Sequence, residues 1–117
     1  MTGENTKYTC PDCGGALARI KDDGPRQYRC RIGHLYSPQS ALAAHRERQE
    51  NILWSAVVIL EEGAELADEV RVQTREKAEQ AALAEEARTK RDLAEKIRAV
   101  CLELPRASEE ELGENIR

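Results

Sequence analysis

The chain has 117 residues, of which 34% are charged, and its formal net charge is −4. A chain of this length forms one domain, or one small domain with an appendage, and three Tyr and one Trp cannot fill a large mixed core. No apolar run follows the N-terminus, and no apolar stretch reaches the roughly 18 residues that a membrane span needs. We therefore expect a cytoplasmic protein that is neither exported nor membrane-spanning.

The two halves of the chain differ in charge. Residues 1–50 hold eight Lys or Arg against six Asp or Glu, about +2, and residues 51–117 hold ten against sixteen, about −6. The basic residues nearest the cysteines, which we expect to be solvated or to balance an anionic metal centre, are Arg19, Lys21, Arg26, Arg29 and Arg31. Because a nucleic-acid module usually has a dense basic face, the acidic second half argues against strong binding to nucleic acid.

Residues 8–36 have the pattern of a small β module. The alternating runs "ALARIK" and "RQYRC" indicate two or three short strands, and "KDDGP" between them indicates a turn. A module of this size with three Tyr cannot bury enough apolar surface to offset its chain entropy. We therefore expect a metal to supply part of its stability.

Four side chains in this module are of the metal-binding kind: Cys10, Cys13, Cys30 and His34. Their spacing, C-x2-C-x16-C-x3-H, lies within the range of small zinc modules, in which four N or S ligands surround the ion as a tetrahedron. Gly14, Gly15 and Gly33 let the backbone turn beside the ligands. The spacing predicts a structural Zn²⁺ site, with a redox-active dithiol as the alternative.

Two tyrosines and one further histidine bear on this site. Tyr8 and Tyr28 each precede a predicted ligand cysteine by two residues, so ring and thiolate share a face of extended chain. We expect the two rings to shield the metal from water. His45 lies outside the C-x3-H spacing, and we interpret it as a polar helix residue.

A helical pattern begins at Ser37. Ser37 accepts an N–H at a helix start and Pro38 lacks one, which is the combination typical of a helix N-terminus. Residues 37–104 are rich in Ala, Glu, Arg, Lys and Leu, with aliphatic residues at spacings of three and four. This pattern predicts a long α-helical hairpin.

The hairpin is expected to turn within Arg71–Lys77, where Val72 and Thr74 lower the helix propensity. Pro105 ends the helical pattern, and the acidic residues 105–117 are expected to form a mobile tail. The predicted fold is therefore a small zinc-ribbon-like β module followed by a long α-helical hairpin, in a mostly α chain.

The two predicted helices differ in their apolar pattern. The second carries a stripe of Leu93, Ile97, Val100 and Leu104, and Cys101 on the same stripe is interpreted as a small core residue. The first is apolar nearly all round in the belt "NILWSAVVIL" (Asn51–Leu60), and contact with a partner is expected through Ile52, Leu53, Trp54, Val57 and Val58. One neighbouring helix cannot cover such a belt, so we expect a homodimer or another protein partner, with a monomer covered by its own β module as the alternative.

The segments "YTCPDCGGALARI" and "RQYRCRIGHLYSPQSALAAHRERQENILWSAVVILEE" together resemble a known family. They are similar to the zinc-binding helical extension at the C-terminus of some chemotaxis protein-glutamate methylesterases (CheB-like proteins). The resemblance covers residues 8–66 well and residues 83–100 loosely. It implies Cys10, Cys13, Cys30 and His34 as zinc ligands and a setting in bacterial chemosensory or two-component signalling.

No catalytic constellation accompanies these motifs. The chain has no G-x-S-x-G-like nucleophile elbow and no Gly-rich phosphate loop, and four good ligands leave a zinc ion no open position. We therefore expect a non-catalytic interaction and oligomerisation module without a small-molecule substrate. The alternatives are a zinc-dependent regulator of transcription machinery or DNA binding, and a thiol redox switch in which Cys10 pairs with Cys13.

Overall fold

The computed structural model describes residues 2–105 and confirms the predicted fold class, a small β-sheet followed by two long helices. The strands and helices, in chain order, are β1 (Thr2–Thr9), β2 (Ala16–Lys21), β3 (Tyr28–Arg29), β4 (Leu35–Tyr36), α1 (Pro38–Gln73) and α2 (Lys77–Glu103). The chain divides into two compact units. We call the part up to Gln49 the sheet unit and Glu50–Leu104 the helical unit. Apart from Pro105, the predicted tail lies outside the described residues.

The four strands form one antiparallel sheet in the order β1-β2-β3-β4. β1 begins six residues ahead of the predicted module and pairs Gly3 with Ile20 and Asn5 with Ala18, before its register shifts between Asn5 and Thr9. The polar run "TGENTK" has no apolar alternation that would predict a strand. It is a strand because its backbone pairs with β2. Nothing in its own sequence indicates this.

A small cluster of buried side chains forms the core of the sheet unit. Its members are Cys10, Leu17, Tyr28, Cys30, Tyr36 and Ala44. Two of the six are predicted metal ligands. The core therefore includes two of the four predicted ligands instead of lying apart from them.

The start of α1 agrees with the prediction from Ser37 and Pro38. The Ser40 N–H donates to the Ser37 Oγ and the Ser37 N–H donates to the Ser40 Oγ, each at 3.0 Å. This is a reciprocal capping box in which Ser40 replaces the usual Glu or Gln. Because Ser40 is 2% exposed, the first turn of α1 is fixed by buried hydrogen bonds.

The break between the helices falls at residues 74–76, within the predicted Arg71–Lys77. The Thr74 N–H donates to the Arg71 carbonyl, and the Thr74 hydroxyl donates to the Val70 carbonyl at 2.9 Å. These bonds satisfy two of the carbonyls that a helix C-terminus leaves without partners. Thr74 thus ends the helix through its hydrogen bonds to the last carbonyls as well as through its low helix propensity.

The buried side chains of the helical unit are mostly small. Ala64 and Ala67 of α1 cluster with Ala87 of α2, and Ala87, Ala94 and Cys101 recur every seven residues. The predicted core role of Cys101 is confirmed, since it is 3% exposed.

The predicted stripe on α2 is wrong at two positions, because Leu93 and Val100 are each more than two-fifths exposed. Each directly precedes a buried residue, Ala94 or Cys101, and so lies about 100° away around the helix. The buried face therefore follows the small residues instead of the large aliphatic ones.

Ion pairs flank the buried alanines. Arg98 lies 2.8 Å from Glu61, and Arg91 lies 2.8 Å from Asp68. The Arg98 guanidinium also stacks over the Trp54 ring at 5.7 Å. Neither α1 nor α2 has a stretch long and apolar enough to cross a membrane, and no other helix occurs in residues 2–105.

Candidate metal centre

Cys10 and Cys13 belong to a tight turn between β1 and β2. The Gly14 N–H donates to the Cys10 carbonyl at 2.8 Å, and the Cys10 N–H donates to the Gly15 carbonyl at 2.6 Å. Gly14 has a φ of +76°, which a residue with a side chain rarely adopts. The turn brings the two cysteines to one side of the chain.

Cys30 and His34 belong to a second turn of the same kind, between β3 and β4. The Gly33 N–H donates to the Cys30 carbonyl, and the Cys30 N–H donates to the His34 carbonyl, both at 3.1 Å. Gly33 has a φ of +114°. The His34 N–H points at the Cys30 Sγ at 3.3 Å, as backbone N–H groups do toward sulfur ligands.

The two turns bring the four predicted ligands together, with one ligand atom of each within 4.8 Å of all the others. The Cys13 and Cys30 Sγ atoms are 3.8 Å apart. The His34 Nδ1 lies 3.6 Å from the Cys10 Sγ and 3.3 Å from the Cys30 Sγ. A tetrahedral ion with bonds of about 2.3 Å to sulfur and 2.0–2.1 Å to nitrogen separates S from S by about 3.8 Å and S from N by about 3.5 Å. The residues therefore fit a tetrahedral metal ion, with His34 binding through Nδ1.

The pKa values of this group also suit a cation. Burial opposes ionisation of Cys30, but the N–H groups of His34 and Gly33 outweigh it and lower the pKa of that thiol from 9.0 to about 6. For Cys13, the Gly15 N–H favours the thiolate, yet burial and the neighbouring sulfurs of Cys10 and Cys30 raise its pKa. A hydrogen bond to Cys30 raises the pKa of His34. The cluster thus accumulates negative charge, which a divalent ion would neutralise.

The ligands differ in their access to solvent. Cys10 is fully buried and Cys30 is 4% exposed, whereas Cys13 is exposed and His34 is half-buried. The site is therefore closed on the side of the core and open on the side of Cys13.

The tyrosines predicted to shield the site play unequal parts. Their rings meet edge to face, with centroids 5.6 Å apart. Tyr28 belongs to the same buried cluster as Cys10 and Cys30, but Tyr8 is 51% exposed. The buried tyrosine beside Cys10 is instead Tyr36.

Sequence reasoning missed Tyr36 and Asp12 as neighbours of the site. The Tyr36 hydroxyl donates to the Asp12 carboxylate and lies 3.6 Å from the Cys10 Sγ. Asp12 stands between the two cysteines of "CPDC", and Tyr36 follows His34 by two residues. Alternate residues of a strand share a face, so the spacing of Tyr36 and His34 could have indicated that Tyr36 lies beside the site.

Two of the basic residues near the cysteines form ion pairs that were not predicted, and two others are solvated as expected. Arg19 pairs with Glu4 at 3.3 Å and stacks over Tyr28, and Lys21 pairs with Glu4 at 2.8 Å. Arg29 and Arg31 are exposed. The cation that reaches the backbone of the site is Arg48 of α1, which donates to the Cys10 carbonyl at 3.4 Å, and no sequence signal indicated it.

His45 is exposed and does not belong to the Cys/His cluster found in the described residues. It lies instead on a groove of about 400 Å³ that Tyr8 and Tyr28 also line. The chain matches no protein-family model, and neither a curated protein nor a solved structure is similar to it at a significant level.

Proposed function

We propose that the chain is a non-catalytic protein-interaction module that a structural Zn²⁺ stabilises. The observation that carries the proposal is the tetrahedral spacing of Cys10, Cys13, Cys30 and His34. All four corners of that tetrahedron are side chains of the chain itself, so a bound ion keeps no open position for a substrate.

Zinc is the metal that this donor set favours. Three thiolates and one imidazole in a tetrahedron are typical of structural zinc sites. The ion would neutralise the thiolates and hold the two turns together. The chain itself supports the ligands, because the N–H of His34 points at the Cys30 sulfur and the Cys10 backbone is held by Arg48.

The surface proposed for interaction lies on α1, opposite the face that α2 covers. A groove of about 450 Å³ is lined by Asn51, Trp54, Ser55, Val58, Ile59 and Glu62. These positions follow the spacing of one helix face. Ile59 is 66% exposed and Val58 53% exposed, so this face offers apolar surface to a partner.

Only part of the predicted apolar belt is available to a partner. Ile52 is 55% exposed, and Leu66, outside the belt, is 59% exposed. Val57 is 1% exposed and Leu53 is half-buried, so these two side chains are covered within the chain itself. The proposed surface is therefore Ile52, Val58, Ile59 and Leu66, with Trp54 at its edge.

The partner we propose for this surface is a second copy of the chain. In an antiparallel pairing of two α1 helices centred between Val58 and Ile59, Val58 lies opposite Ile59 of the second copy. Ser55 then lies opposite Glu62, so the polar positions of this face also meet each other. The face is thus complementary to itself, as a two-fold interface requires.

The cellular setting remains part of the proposal. The C-P-x-C-G-G and aromatic-x-C-R-x-G-H motifs support a role in bacterial chemosensory signalling. Four free cysteines support a reducing compartment such as the cytoplasm. Capture of the tagged chain from its host should recover chemoreceptors or methylation enzymes, and recovery of RNA polymerase would instead favour a role in transcription.

Metal analysis and light scattering on one purified sample test the central proposal. We expect one zinc per chain and the mass of a dimer at tens of micromolar. A chain that takes up no zinc contradicts the metal site, and a zinc-loaded monomer at that concentration contradicts self-association. Turnover of a substrate at the metal would contradict the non-catalytic assignment.

A further inference from the structure

One of the three sulfur ligands is much more accessible than the others. Cys13 is exposed, whereas Cys10 is fully buried and Cys30 is 4% exposed. Gly14, next to Cys13, leaves open space, since a side chain there would meet no atom within 4 Å. A small solute can therefore reach the Cys13 sulfur but not the other two.

A second sulfur lies directly behind the accessible one. The Cys30 Sγ is 3.8 Å from the Cys13 Sγ, and both turns place their sulfurs toward the same point. The sulfurs need to approach by roughly 1.8 Å to reach a disulfide bond of about 2.05 Å. An accessible thiolate beside a resolving cysteine is the arrangement typical of thiols that react with peroxides.

We propose that hydroperoxides oxidise the zinc-loaded site at Cys13 and that the product is a Cys13–Cys30 disulfide, which releases the metal. This inference rests on the proposed zinc site and adds a means of regulating it. It differs from a pairing of Cys10 with Cys13, because the Cys30 sulfur lies 3.8 Å from that of Cys13, whereas the Cys10 sulfur lies beside the Tyr36 hydroxyl.

The chemistry needs two steps and one oxidant. The Cys13 thiolate attacks a hydroperoxide oxygen, the O–O bond breaks, and the leaving alkoxide or hydroxide takes a proton from water, which leaves Cys13 as a sulfenic acid. The Cys30 thiolate then attacks the Cys13 sulfur, the S–O bond breaks, and hydroxide leaves. Two electrons pass from the two sulfurs to one hydroperoxide.

Oxidation removes half of the ligands. Cys10 and His34 alone cannot hold a tetrahedral zinc ion, so the metal should leave with formation of the disulfide. Reduction of the disulfide with a dithiol in the presence of Zn²⁺ should restore the site, because no atom other than the metal is lost.

The test uses the full-length, zinc-loaded Cys101→Ser chain, which lacks the cysteine outside the site, and hydrogen peroxide as the probe. We expect one zinc released per peroxide consumed, measured with a chromogenic chelator, and a Cys13–Cys30 linkage in the peptide map. A map showing Cys10 paired with Cys13 or Cys30, or retention of zinc after excess peroxide, overturns the inference. A chain that binds no zinc contradicts the proposed metal site and this inference with it.

A matched variant tests the role of the accessible sulfur. Cys13→His keeps four ligands but removes the exposed thiolate, so zinc release should be on the order of tenfold slower than in the Cys101→Ser chain. Release at an unchanged rate from a zinc-loaded Cys13→His chain contradicts the inference. If the variant does not hold zinc, the peptide map of the Cys101→Ser chain decides alone.

Discussion

The Tyr36 hydroxyl joins an acidic residue of the first turn to a predicted ligand, since it donates to the Asp12 carboxylate and lies 3.6 Å from the Cys10 sulfur. Burial, followed by the hydrogen bond to Asp12, raises the pKa of Tyr36, so the group stays a hydrogen-bond donor across the physiological range. Tyr36 thus links β4 to the turn between β1 and β2 through side chains alone.

Tyr36→Phe should weaken zinc binding while the sheet stays folded, because the ring that fills the core is kept and only the hydroxyl is lost. Removal of a group that orients a metal ligand commonly costs about 10- to 100-fold in affinity. Competition with a zinc chelator measures the change. Tyr8→Phe removes a hydroxyl from a half-exposed ring and should leave the affinity unchanged; equal affinities in all three proteins would contradict a role for the Tyr36 hydroxyl.

Cys30→Ser, or removal of the metal, should unfold the sheet unit and leave the helical unit intact. The buried cluster of the sheet unit has six members, of which Cys10 and Cys30 are predicted ligands, so little apolar burial remains without the metal. Hydrogen exchange resolved by residue distinguishes the two units, and far-ultraviolet circular dichroism should stay helical. Cys101→Ser provides the control, since it removes a buried thiol and retains the metal. A protected, metal-free sheet would refute this expectation.

Zinc occupancy should fall as the pH is lowered. The pKa of Cys30 is lowered from 9.0 to about 6, so the stabilisation from its thiolate is present above pH 9, declines on acidification and is lost below about 6. The pKa of His34 is raised, so in the metal-free fold its protonated form contributes stability at low pH that is lost as the pH rises. Zinc binding through this ring nitrogen must displace that proton. Zinc release measured against pH should therefore be complete only below pH 6. Occupancy that does not change well below pH 6 would contradict the ligand set.

Gly33→Ala should lower the free energy of unfolding of the zinc-loaded sheet unit by about 1–3 kcal/mol, because a φ of +114° strains any residue with a side chain. Chemical denaturation followed by tyrosine fluorescence measures it. Gly24→Ala, at a turn glycine whose φ is not in the left-handed region, is the matched control and should change much less. Equal effects at the two positions would show that the Cys30 turn does not depend on this conformation.

Val58→Asp should convert the proposed dimer to a monomer, because two copies would bury two carboxylates at the centre of the interface. Val72→Asp makes the same substitution at a valine of α1 that is 78% exposed and outside the proposed surface. Sedimentation equilibrium on both variants should show a monomer for the first and a dimer for the second. Dissociation of both, or of neither, would locate the interface elsewhere.

The sequence predicted those features that depend on residues close together in the chain. Ser37 and Pro38 indicated the start of α1, and the break after Gln73 followed from the propensities of Val72 and Thr74. Cys10, Cys13, Cys30 and His34 were predicted from their spacing as one group, and the structure brings them together. The spacing was informative because a tetrahedral site limits how far apart in the sequence the two ligands of one turn can lie.

The features that were missed depend on contacts between distant parts of the chain. Residues 2–7 form a strand only through pairing with β2, and Arg48 reaches Cys10 from 38 residues further along the chain. On α2, the size of Leu93 and Val100 suggested a core stripe, whereas the helical unit buries Ala94 and Cys101. Apolar periodicity predicts the buried face of a helix only to within one residue when small and large apolar residues are adjacent in the sequence.

The small residues between the helices leave the alignment of the hairpin weakly determined by packing. Ala64, Ala67, Ala87 and Ala94 are alike, so sliding α2 along α1 by seven residues would place similar surfaces together again. The pairs Glu61 with Arg98 and Asp68 with Arg91 are themselves separated by seven residues on each helix. After a slide that brings Arg91 to Glu61, Asp68 would face the uncharged Ala84 and lose its partner. The second charged pair therefore selects the alignment of the hairpin. Glu61 alone could pair with either Arg98 or Arg91, but only one alignment forms both ion pairs.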